Sequence, residues 1–193
     1  MPLSKLREFL DSHNVKYLVI SHSLAYTAQG VAALAHVSGK KLAKTVIVKI
    51  DGILAMVVIP ASERVDLERV RTLTGAQTVE VASEREFKDA FPDCETGAMP
   101  PFGNLYDMSV YADASLAENE EITFTAETHR ELVRMQWEVW RSWSIRRWTI
   151  WSTGMPLSRD SRVRERARFA ERATLEESCS PGRLVRGRAC SAQ

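Results

Sequence analysis

The sequence predicts an α+β domain with a largely antiparallel sheet, and two observations lead to this prediction. Two runs rich in β-branched residues, 43–50 and 53–60, flank the pair Asp51 and Gly52. Such a pair is a strong hairpin signature because both turn residues tolerate positive φ. The other short strands alternate with short helices without a regular βα repeat, and this favours an α+β fold over a parallel α/β fold.

The individual elements follow from local patterns along the chain. Leu6, Phe9 and Leu10 share one face of a helix near the N-terminus, and Thr27 precedes a second apolar helical pattern. The run 53–59 is apolar on both faces, which predicts a buried central strand. The other predicted elements are a strand at 15–20, a helix at 66–73, a strand at 78–81, a helix at 83–91, a loop at 94–104 and strands at 110–112, 122–125 and 131–135.

The composition excludes several classes of protein. The chain has 193 residues, of which 45% are hydrophobic and 26% are charged. Its longest apolar stretches are far shorter than the roughly 20 residues that a membrane-spanning helix needs. Charges near the N-terminus stand where a signal peptide has its apolar core. The three cysteines are too widely spaced for a disulfide framework or a zinc site. We therefore expect a cytoplasmic protein with no metal, no cofactor, and neither a membrane nor DNA as partner.

The charge is divided unevenly along the chain. Residues 1–136 carry 14 Lys and Arg against 19 Asp and Glu, a net charge of −5. Residues 137–193 carry 12 Arg and no Lys against 6 acidic residues, a net charge of +6. All five Trp residues lie within 137–151. Two different compositions are therefore joined in one chain.

The loop at 97–103 is a candidate binding loop because it combines two glycines with two prolines. Gly97 allows backbone N–H groups to approach a ligand, and Pro100 and Pro101 fix the path of the loop. Such a loop can bind a carbonyl oxygen or a phosphate through main-chain donors. The alternative is a rigid connection between two strands.

Three side chains outside this loop are also candidates. Lys44 opens the first hairpin strand close to Lys40 and Lys41, and it could hold a phosphate as a point charge or be a solvated strand end. His22 and His129 lie beside Ser or Thr at strand boundaries, where they could position a hydroxyl group or a water, or be purely structural. The sequence contains no Gly-x-Ser-x-Gly elbow, P-loop or dinucleotide-binding glycine motif.

Five segments in order along the chain resemble one known family. The segments are 25–32, 39–48, 97–105, 110–113 and 124–130. Through them, residues 1–135 resemble the YbaK / prolyl-tRNA-synthetase editing-domain family, which includes free-standing aminoacyl-tRNA deacylases. The order of five motifs is far more specific than any one of them.

The resemblance implies a mixed, barrel-like sheet with flanking helices and a pocket for the aminoacylated 3′ end of tRNA. The implied reaction hydrolyses the ester bond of a mischarged tRNA without a covalent protein nucleophile. In the family pattern, the lysine at Lys44 holds the terminal nucleotide and backbone N–H groups of the loop at Gly97 orient the ester carbonyl. A water then attacks, helped by the substrate's own hydroxyl group. The implied partners are tRNA and an aminoacyl-tRNA synthetase.

The resemblance also implies a set of binding residues. His129 matches a position that lines the amino-acid pocket in some subgroups, Asp113 matches a polar pocket position in others, and Thr45 lies where subgroups differ in their amino acid. The full predicted binding set is His22, Tyr26, Thr27, Thr45, Ala98, Met99, Pro100, Phe102, Gly103, Asp113 and His129. Glu127 stands where the family commonly has Gly, so its carboxylate either alters the choice of amino acid or points to solvent. Ser, Thr, Ala and Pro remain as candidate amino acids.

The resemblance ends at Met135, where the family continues with a helix that covers the barrel. We therefore expect an editing-type domain at 1–135 and an atypical Arg/Trp-rich tail at 136–193, poorly ordered beyond about residue 152. One hypothesis is that the tail is a frame-shifted translation, and the alternative is a basic appendage that binds tRNA or a partner. The altered tail also leaves open a second function, a non-catalytic module of the same fold that binds tRNA ends or synthetases.

Overall fold

An eight-stranded mixed sheet forms the centre of the structure, a computed structural model that describes residues 5–25, 27–34, 37–144 and 150–151. The predicted binding residue Tyr26 and the predicted disorder beyond about residue 152 lie outside these residues. The strands are β1 (Tyr17–Ser21), β2 (Leu42–Ile50), β3 (Ile53–Pro60), β4 (Val79–Val81), β5 (Ser109–Asp113), β6 (Glu121–Ala126), β7 (Thr128–Gln136) and β8 (Ile150–Trp151). Their order is β1-β7-β6-β2-β3-β5-β8, and β4 pairs with β2 beside this path.

The α+β class, the mixed sheet and the flanking helices are confirmed, but the predicted barrel is wrong. The pairs β1–β7, β7–β6, β2–β3 and β2–β4 are antiparallel, while β6–β2, β3–β5 and β5–β8 are parallel. A barrel requires the two end strands to pair with each other. Within the described residues, β1 and β8 are the two end strands of the sheet and do not pair with each other. β8 has only two residues, and only two residue pairs join β6 to β2, so the sheet lacks the continuous pairing that closure needs.

The β2–β3 hairpin is formed as the sequence predicts. Asp51 and Gly52 have φ values of 48° and 84°, the left-handed conformation that a tight hairpin turn requires. The strands pair without interruption from Ala43 opposite Pro60 to Ile50 opposite Ile53. β3 lies between β2 and β5, and its last six residues are buried, which confirms the predicted central strand.

Helices cover both faces of the sheet. They are α1 (Lys5–Ser12), α2 (Ala28–Leu34), α3 (Leu67–Thr74), α4 (Glu84–Phe87) and α5 (Trp137–Ser144), with short 3-10 turns at Lys88–Ala90, Gly103–Leu105 and Ala114–Glu118. Val70 of α3 packs with Val48, Val57 and Ile59 on one face of the β2–β3 hairpin. Because side chains alternate along a strand, neighbouring residues such as Ile47 and Met56 enter the opposite core, together with α1 and α5. Within the described residues, no helix has both the length and the apolar character needed to cross a membrane.

The packed structure continues past Met135 through α5. Trp137 and Trp140 are one helical turn apart, with ring centroids 4.9 Å apart, and they are 3% and 0% exposed. Both belong to the same core as Leu6 and Phe124. Burial of a large apolar side chain stabilises a fold by roughly 1.5–3 kcal/mol. Helix α5 therefore covers the core where sequence analysis expected the covering helix to be missing.

Candidate functional site

The loop that begins at Glu95 is fixed to the corner between β6 and β7. The backbone N–H of Glu95 donates to the main-chain oxygen of Glu127 at 2.8 Å. The backbone N–H of Glu127 in turn donates to the main-chain oxygen of Ala98 at 2.9 Å. The loop also closes on itself, since Ala98 N donates to Glu95 O at 2.8 Å. Residues 98–103 are buried, whereas residues 95–97 are exposed. The buried part thus holds a short exposed segment in one position.

Gly97 lies at the tip of the exposed segment. Its φ of 91° is in the region that favours glycine. Its N–H donates to the Sδ atom of Met99 at 3.1 Å. A thioether sulfur is only a weak acceptor, so a carbonyl oxygen can readily replace it. A Cβ atom at this position would lie 3.4 Å from Cε1 of His129, so the tip contacts the imidazole ring closely.

His129 lies near the start of β7 and is 6% exposed. Its backbone N–H donates to Oε2 of Glu95 at 2.7 Å. Its Nε2 lies 2.9 Å from the main-chain oxygen of Thr96. Because that oxygen can only accept, Nε2 carries the hydrogen. Contacts from both Glu95 and Thr96 therefore fix the backbone and the ring of His129 against the loop.

An open cleft of about 620 Å³ lies beside this loop. It is lined by Leu24, Cys94, Glu95, Thr96, His129 and Arg130. A second cleft of about 350 Å³ shares Cys94 and Thr96 and extends to Met99 and Phe91. Glu95 supplies a carboxylate to the first cleft, and Arg130 supplies a guanidinium. The first cleft therefore offers one group of each charge beside the Gly97 tip.

Cys94 lines both clefts, but it is a poor nucleophile. Burial raises the pKa of its thiol to about 11, although the contact between Sγ and the Tyr106 hydroxyl at 3.3 Å acts in the opposite direction. Burial also raises the pKa of Tyr106. At neutral pH the thiol is protonated, and the thiolate is the form that attacks an ester.

The segment after β1 runs along the same cleft. The backbone N–H of His22 donates to the main-chain oxygen of Arg130 at 2.9 Å. The ring Nδ1 of His22 lies 2.7 Å from the main-chain oxygen of Ser23. Nε2 of His22 is buried and has no hydrogen-bond partner. Thr27 has a different role, because its Oγ1 accepts from Gly30 N at 3.1 Å in the first turn of α2. The predicted helix start at Thr27 is thereby confirmed.

Lys44 does not line either cleft. It lies half-buried on β2 opposite Ile59, and its Nζ donates to the main-chain oxygens of Ala61 and Glu63. Burial lowers the pKa of the Lys44 ammonium, and the nearby Arg64 lowers it further. Thr45, the next residue on the strand, points to the opposite face. Of the predicted site residues, His129 lines the cleft, Gly97 lies against His129, and His22 bonds to the backbone of Arg130 beside the cleft. Lys44 lies outside the cleft walls.

Asp113 also lies apart from the cleft, at the end of β5. It is fully buried, and its Oδ1 accepts from the backbone N and the Oγ of Ser115, at 2.8 and 2.6 Å. These bonds cap the 3-10 turn that follows β5. Its Oδ2 is buried without a hydrogen-bond partner.

Other predicted binding residues support the loop from inside. The side chains of Ala98 and Phe102 are 0% exposed, Met99 is 4% exposed, and Pro100 is also buried. A Cβ atom on Gly103 would lie 2.2 Å from the main-chain oxygen of Met108, so this glycine is required by close packing. Ligand contact is therefore left to the exposed segment at 95–97.

Glu127 follows neither of the two alternatives that the sequence suggested. Its φ of 65° lies in the left-handed region, which explains why glycine suits this position. Its side chain is 3% exposed, and Oε1 accepts from Leu6 N at 3.1 Å. The carboxylate therefore caps the first turn of α1 and neither points to solvent nor lines a cleft.

Sequence reasoning missed several residues at this site. Glu95 and Thr96 directly precede Gly97 and Arg130 follows His129, so proximity to predicted residues is the signal that could have found them. Trp140 carried no such signal, although its Nε1 donates to the main-chain oxygen of Pro101 at 3.1 Å. In the described part of the chain, no three His, Cys, Asp or Glu residues are placed to hold a metal ion.

Sequence comparisons identify a matching family model and several similar proteins. A family model described as an aminoacyl-tRNA editing domain matches residues 22–142. Proline–tRNA ligases of Bacillus mycoides (strain KBAB4) and Bacillus cereus (strain AH187) are each 31% identical over 87 residues, which are 45% of this chain and 15% of each ligase. The match therefore spans only a small part of these ligases.

Solved structures share the fold. The crystal structure of a hypothetical protein has a TM-score of 0.65 at 20% identity and covers 72% of this chain and 93% of its own. A candidate trans-editing enzyme for prolyl-tRNA synthetase has a TM-score of 0.65 at 17% identity and covers 76% of this chain and 93% of its own. At such low identities the likeness concerns the fold.

Proposed function

The chain belongs to the aminoacyl-tRNA editing domain family, and from this premise we propose that it is a trans-acting aminoacyl-tRNA deacylase. It hydrolyses the ester that joins a mischarged amino acid to the terminal adenosine of tRNA. The observation that carries the proposal is the N–H of Gly97 in the exposed segment, which is bonded only to a thioether beside a fixed histidine.

In the proposed reaction, the ester carbonyl oxygen replaces the Met99 sulfur as the acceptor of the Gly97 N–H. An oxygen is the better acceptor, and the bond strengthens as negative charge develops on it in the transition state. His129 lies against Gly97 and forms the adjoining wall of the cleft, where the amino acid is held. The loop is already anchored through Ala98 and Glu127, so little reorganisation is needed.

Hydrolysis proceeds by attack of water rather than of a protein side chain. The water oxygen bonds to the ester carbon, the bond from that carbon to the ribose oxygen breaks, and the ribose oxygen takes up a proton. The neighbouring ribose hydroxyl of the substrate assists the water. The raised pKa of the Cys94 thiol supports this route, because the one described cysteine in the cleft is not a thiolate at neutral pH.

The terminal nucleotide is held by a basic side chain outside the walls of the cleft. We assign Lys44 to this role, in which its ammonium leaves the main-chain oxygens of Ala61 and Glu63 for a nucleotide oxygen. Ala43, its neighbour on β2, pairs with Phe124 on β6, the strand that leads to the Glu127 corner. Lys44 therefore directly follows the point where β2 pairs with β6, the strand that leads to the corner holding the Glu95 loop. The remaining predicted binding residues, including Thr45 and Asp113, stay predictions, as does a synthetase partner.

A second candidate is a non-catalytic module that binds tRNA ends. The observation that favours it is the position of Lys44, whose ammonium is taken up by two main-chain oxygens outside the cleft walls. In that case the fold would bind the aminoacylated end without turning it over.

Deacylation of a panel of mischarged tRNAs tests the proposal. The full chain is incubated with tRNAs carrying Ser, Thr, Ala or Pro, and release of the amino acid is followed. We expect one of these esters to be hydrolysed, and Lys44→Ala to lower kcat/KM about 10-fold or more because a charge-assisted contact is lost. Lys16→Ala, which changes an exposed lysine between α1 and β1, is the matched control and should leave the rate unchanged.

Three possible results distinguish the deacylase from the non-catalytic module and test the role of Lys44. Hydrolysis that depends on Lys44 supports the deacylase with the assigned residue. Hydrolysis that Lys44→Ala leaves unchanged removes Lys44 from the site. Binding of aminoacyl-tRNA without release of amino acid supports the non-catalytic module.

A further inference from the structure

We propose that Glu95 binds the α-ammonium group of the amino acid to be removed. This makes it a residue that determines specificity for esters with a free amino group. The inference rests on the proposed function, because it places the ester carbonyl at Gly97. It concerns a side chain that borders the cleft directly.

The carboxylate of Glu95 is held in place before any ligand arrives. Its Oε2 accepts the N–H of His129 at 2.7 Å, which ties the side chain to the start of β7. Its own backbone N–H is bonded to Glu127 O at 2.8 Å and its carbonyl oxygen to Ala98 N at 2.8 Å. The backbone on both sides of the side chain is thus fixed, while the residue remains exposed to the cleft.

Charge identifies the group that Glu95 would bind. Of the six residues that line the cleft, only Glu95 carries a negative charge, whereas Arg130 carries a positive one. An aminoacylated 3′ end likewise carries one ammonium on the amino acid and phosphodiesters on the nucleotide side. Glu95 matches the ammonium and Arg130 matches a phosphate, because a guanidinium repels an ammonium and pairs with phosphate oxygens.

The position of Glu95 along the loop agrees with this assignment. In an aminoacyl ester the α-carbon is bonded directly to the carbonyl carbon, so the ammonium lies close to the carbonyl oxygen. Glu95 stands two residues before Gly97, whose N–H is the proposed donor to that oxygen. The same loop therefore holds both the carbonyl oxygen and the α-ammonium of the aminoacyl group. Peptidyl-tRNA, whose α-amino group is acylated, loses the contact with Glu95 and is spared.

Binding of stable analogues provides the test. The probes are the Ser, Thr, Ala and Pro amides of 3′-amino-3′-deoxyadenosine, each with a free amine and in N-acetylated form, and binding to the full chain is measured by calorimetry. We expect the free amine to bind about 10-fold more tightly than its N-acetyl form, as the loss of a charged hydrogen bond predicts. Glu95→Gln should abolish this preference while keeping an oxygen that accepts from His129 N.

Asp93→Asn is the matched control. It removes a negative charge two residues from Glu95, and the Asp93 side chain lines neither cleft. It should leave the preference for the free amine intact. Equal affinity of the wild-type protein for both forms, absence of binding by any probe, or an unchanged preference in Glu95→Gln would each overturn the inference. Failure of the proposed function gives a different pattern, in which the preference for the free amine is present but no aminoacyl-tRNA is hydrolysed.

Discussion

At the scale of single residues, the environment of a side chain decides its chemistry here more than its type does. Cys94 borders the cleft where a nucleophile would be useful, yet burial raises the pKa of its thiol to about 11. Glu127 adopts a backbone conformation that suits glycine, and its buried carboxylate accepts the Leu6 N–H. Glu127 is a candidate residue in the sequence and Cys94 lines the cleft, but the surroundings of each residue remove it from the proposed chemistry.

The reactivity of Cys94 follows from its raised pKa. The folded state favours the protonated thiol, so the thiolate forms only as pH rises past the ordinary value of 9.0 toward about 11. We expect the alkylation rate of Cys94 in the folded protein to titrate with an apparent pKa of about 11. The rate is measured with iodoacetamide in a variant carrying Cys179→Ser and Cys190→Ser.

The same variant in denaturant supplies the control and should titrate near 9.0, as an exposed thiol does. Titration of the folded protein near this lower value would contradict the prediction. It would also return Cys94 to consideration as a nucleophile.

At the scale of elements, helix α5 supports the candidate site from behind. The indole N–H of Trp140 donates to the main-chain oxygen of Pro101 at 3.1 Å, inside the core. Trp143 of the same helix makes edge contact with Phe9 of α1, with ring centroids 5.6 Å apart. The helix therefore joins α1 to the loop that carries Gly97, and its loss would loosen both.

Trp140→Phe isolates the bond to the loop. The variant keeps an aromatic ring but leaves the buried oxygen of Pro101 without its donor, which costs about 1–3 kcal/mol in the free energy of unfolding. We also expect faster hydrogen exchange at the amides of Gly97 and Ala98. Trp137→Phe is the comparison, because Trp137 packs against Trp140 but is not the donor to Pro101. Equal effects of the two variants on stability and on exchange at the loop would contradict this role for Trp140.

The elements that the sequence predicted are those with local signals. The β2–β3 hairpin depends on the adjacent turn residues Asp51 and Gly52, and the start of α2 depends on Thr27 beside it. The parts that were missed depend on pairs distant in sequence. Trp140 and Pro101 are 39 residues apart, and Leu6 and Glu127 are 121 residues apart. No periodicity or spacing reports such contacts, so the bond between Glu95 and His129 and the cover formed by α5 emerged only from the folded chain.

At the scale of the whole molecule, the opposite charges of the two parts govern how tRNA would be bound. Residues 1–136 have a net charge of −5 and residues 137–193 one of +6. An acidic body cannot attract a polyanion through its overall charge. Binding through the proposed site would therefore depend on a local basic patch, consisting of Lys40, Lys41 and Lys44.

Salt dependence distinguishes the patch from the Arg-rich segment. Three lysine–phosphate contacts on a single-stranded 3′ end predict that log Kd rises with log salt concentration with a slope of about 2. Lys40→Ala should lower this slope by about 0.7. The measurement is tRNA binding by fluorescence anisotropy over a series of KCl concentrations.

The double variant Arg159→Gln and Arg162→Gln is the control and should leave the slope unchanged. A much steeper slope that falls in this double variant would assign tRNA binding to the segment 137–193. The local patch would then be wrong as the main contact.

The pairing of β1 with β7 has a consequence for the order in which the protein is made. Tyr17 lies opposite Met135, so β1 is synthesised long before β7, the strand with which it pairs. Contacts that close such long loops form later than local ones, whereas the β2–β3 hairpin needs only neighbouring residues. On the ribosome, we expect the hairpin to form first and β1 to remain unpaired until residues 128–136 have emerged. The nascent chain therefore exposes β1 until β7 has been synthesised, and β1 joins the sheet in a late step.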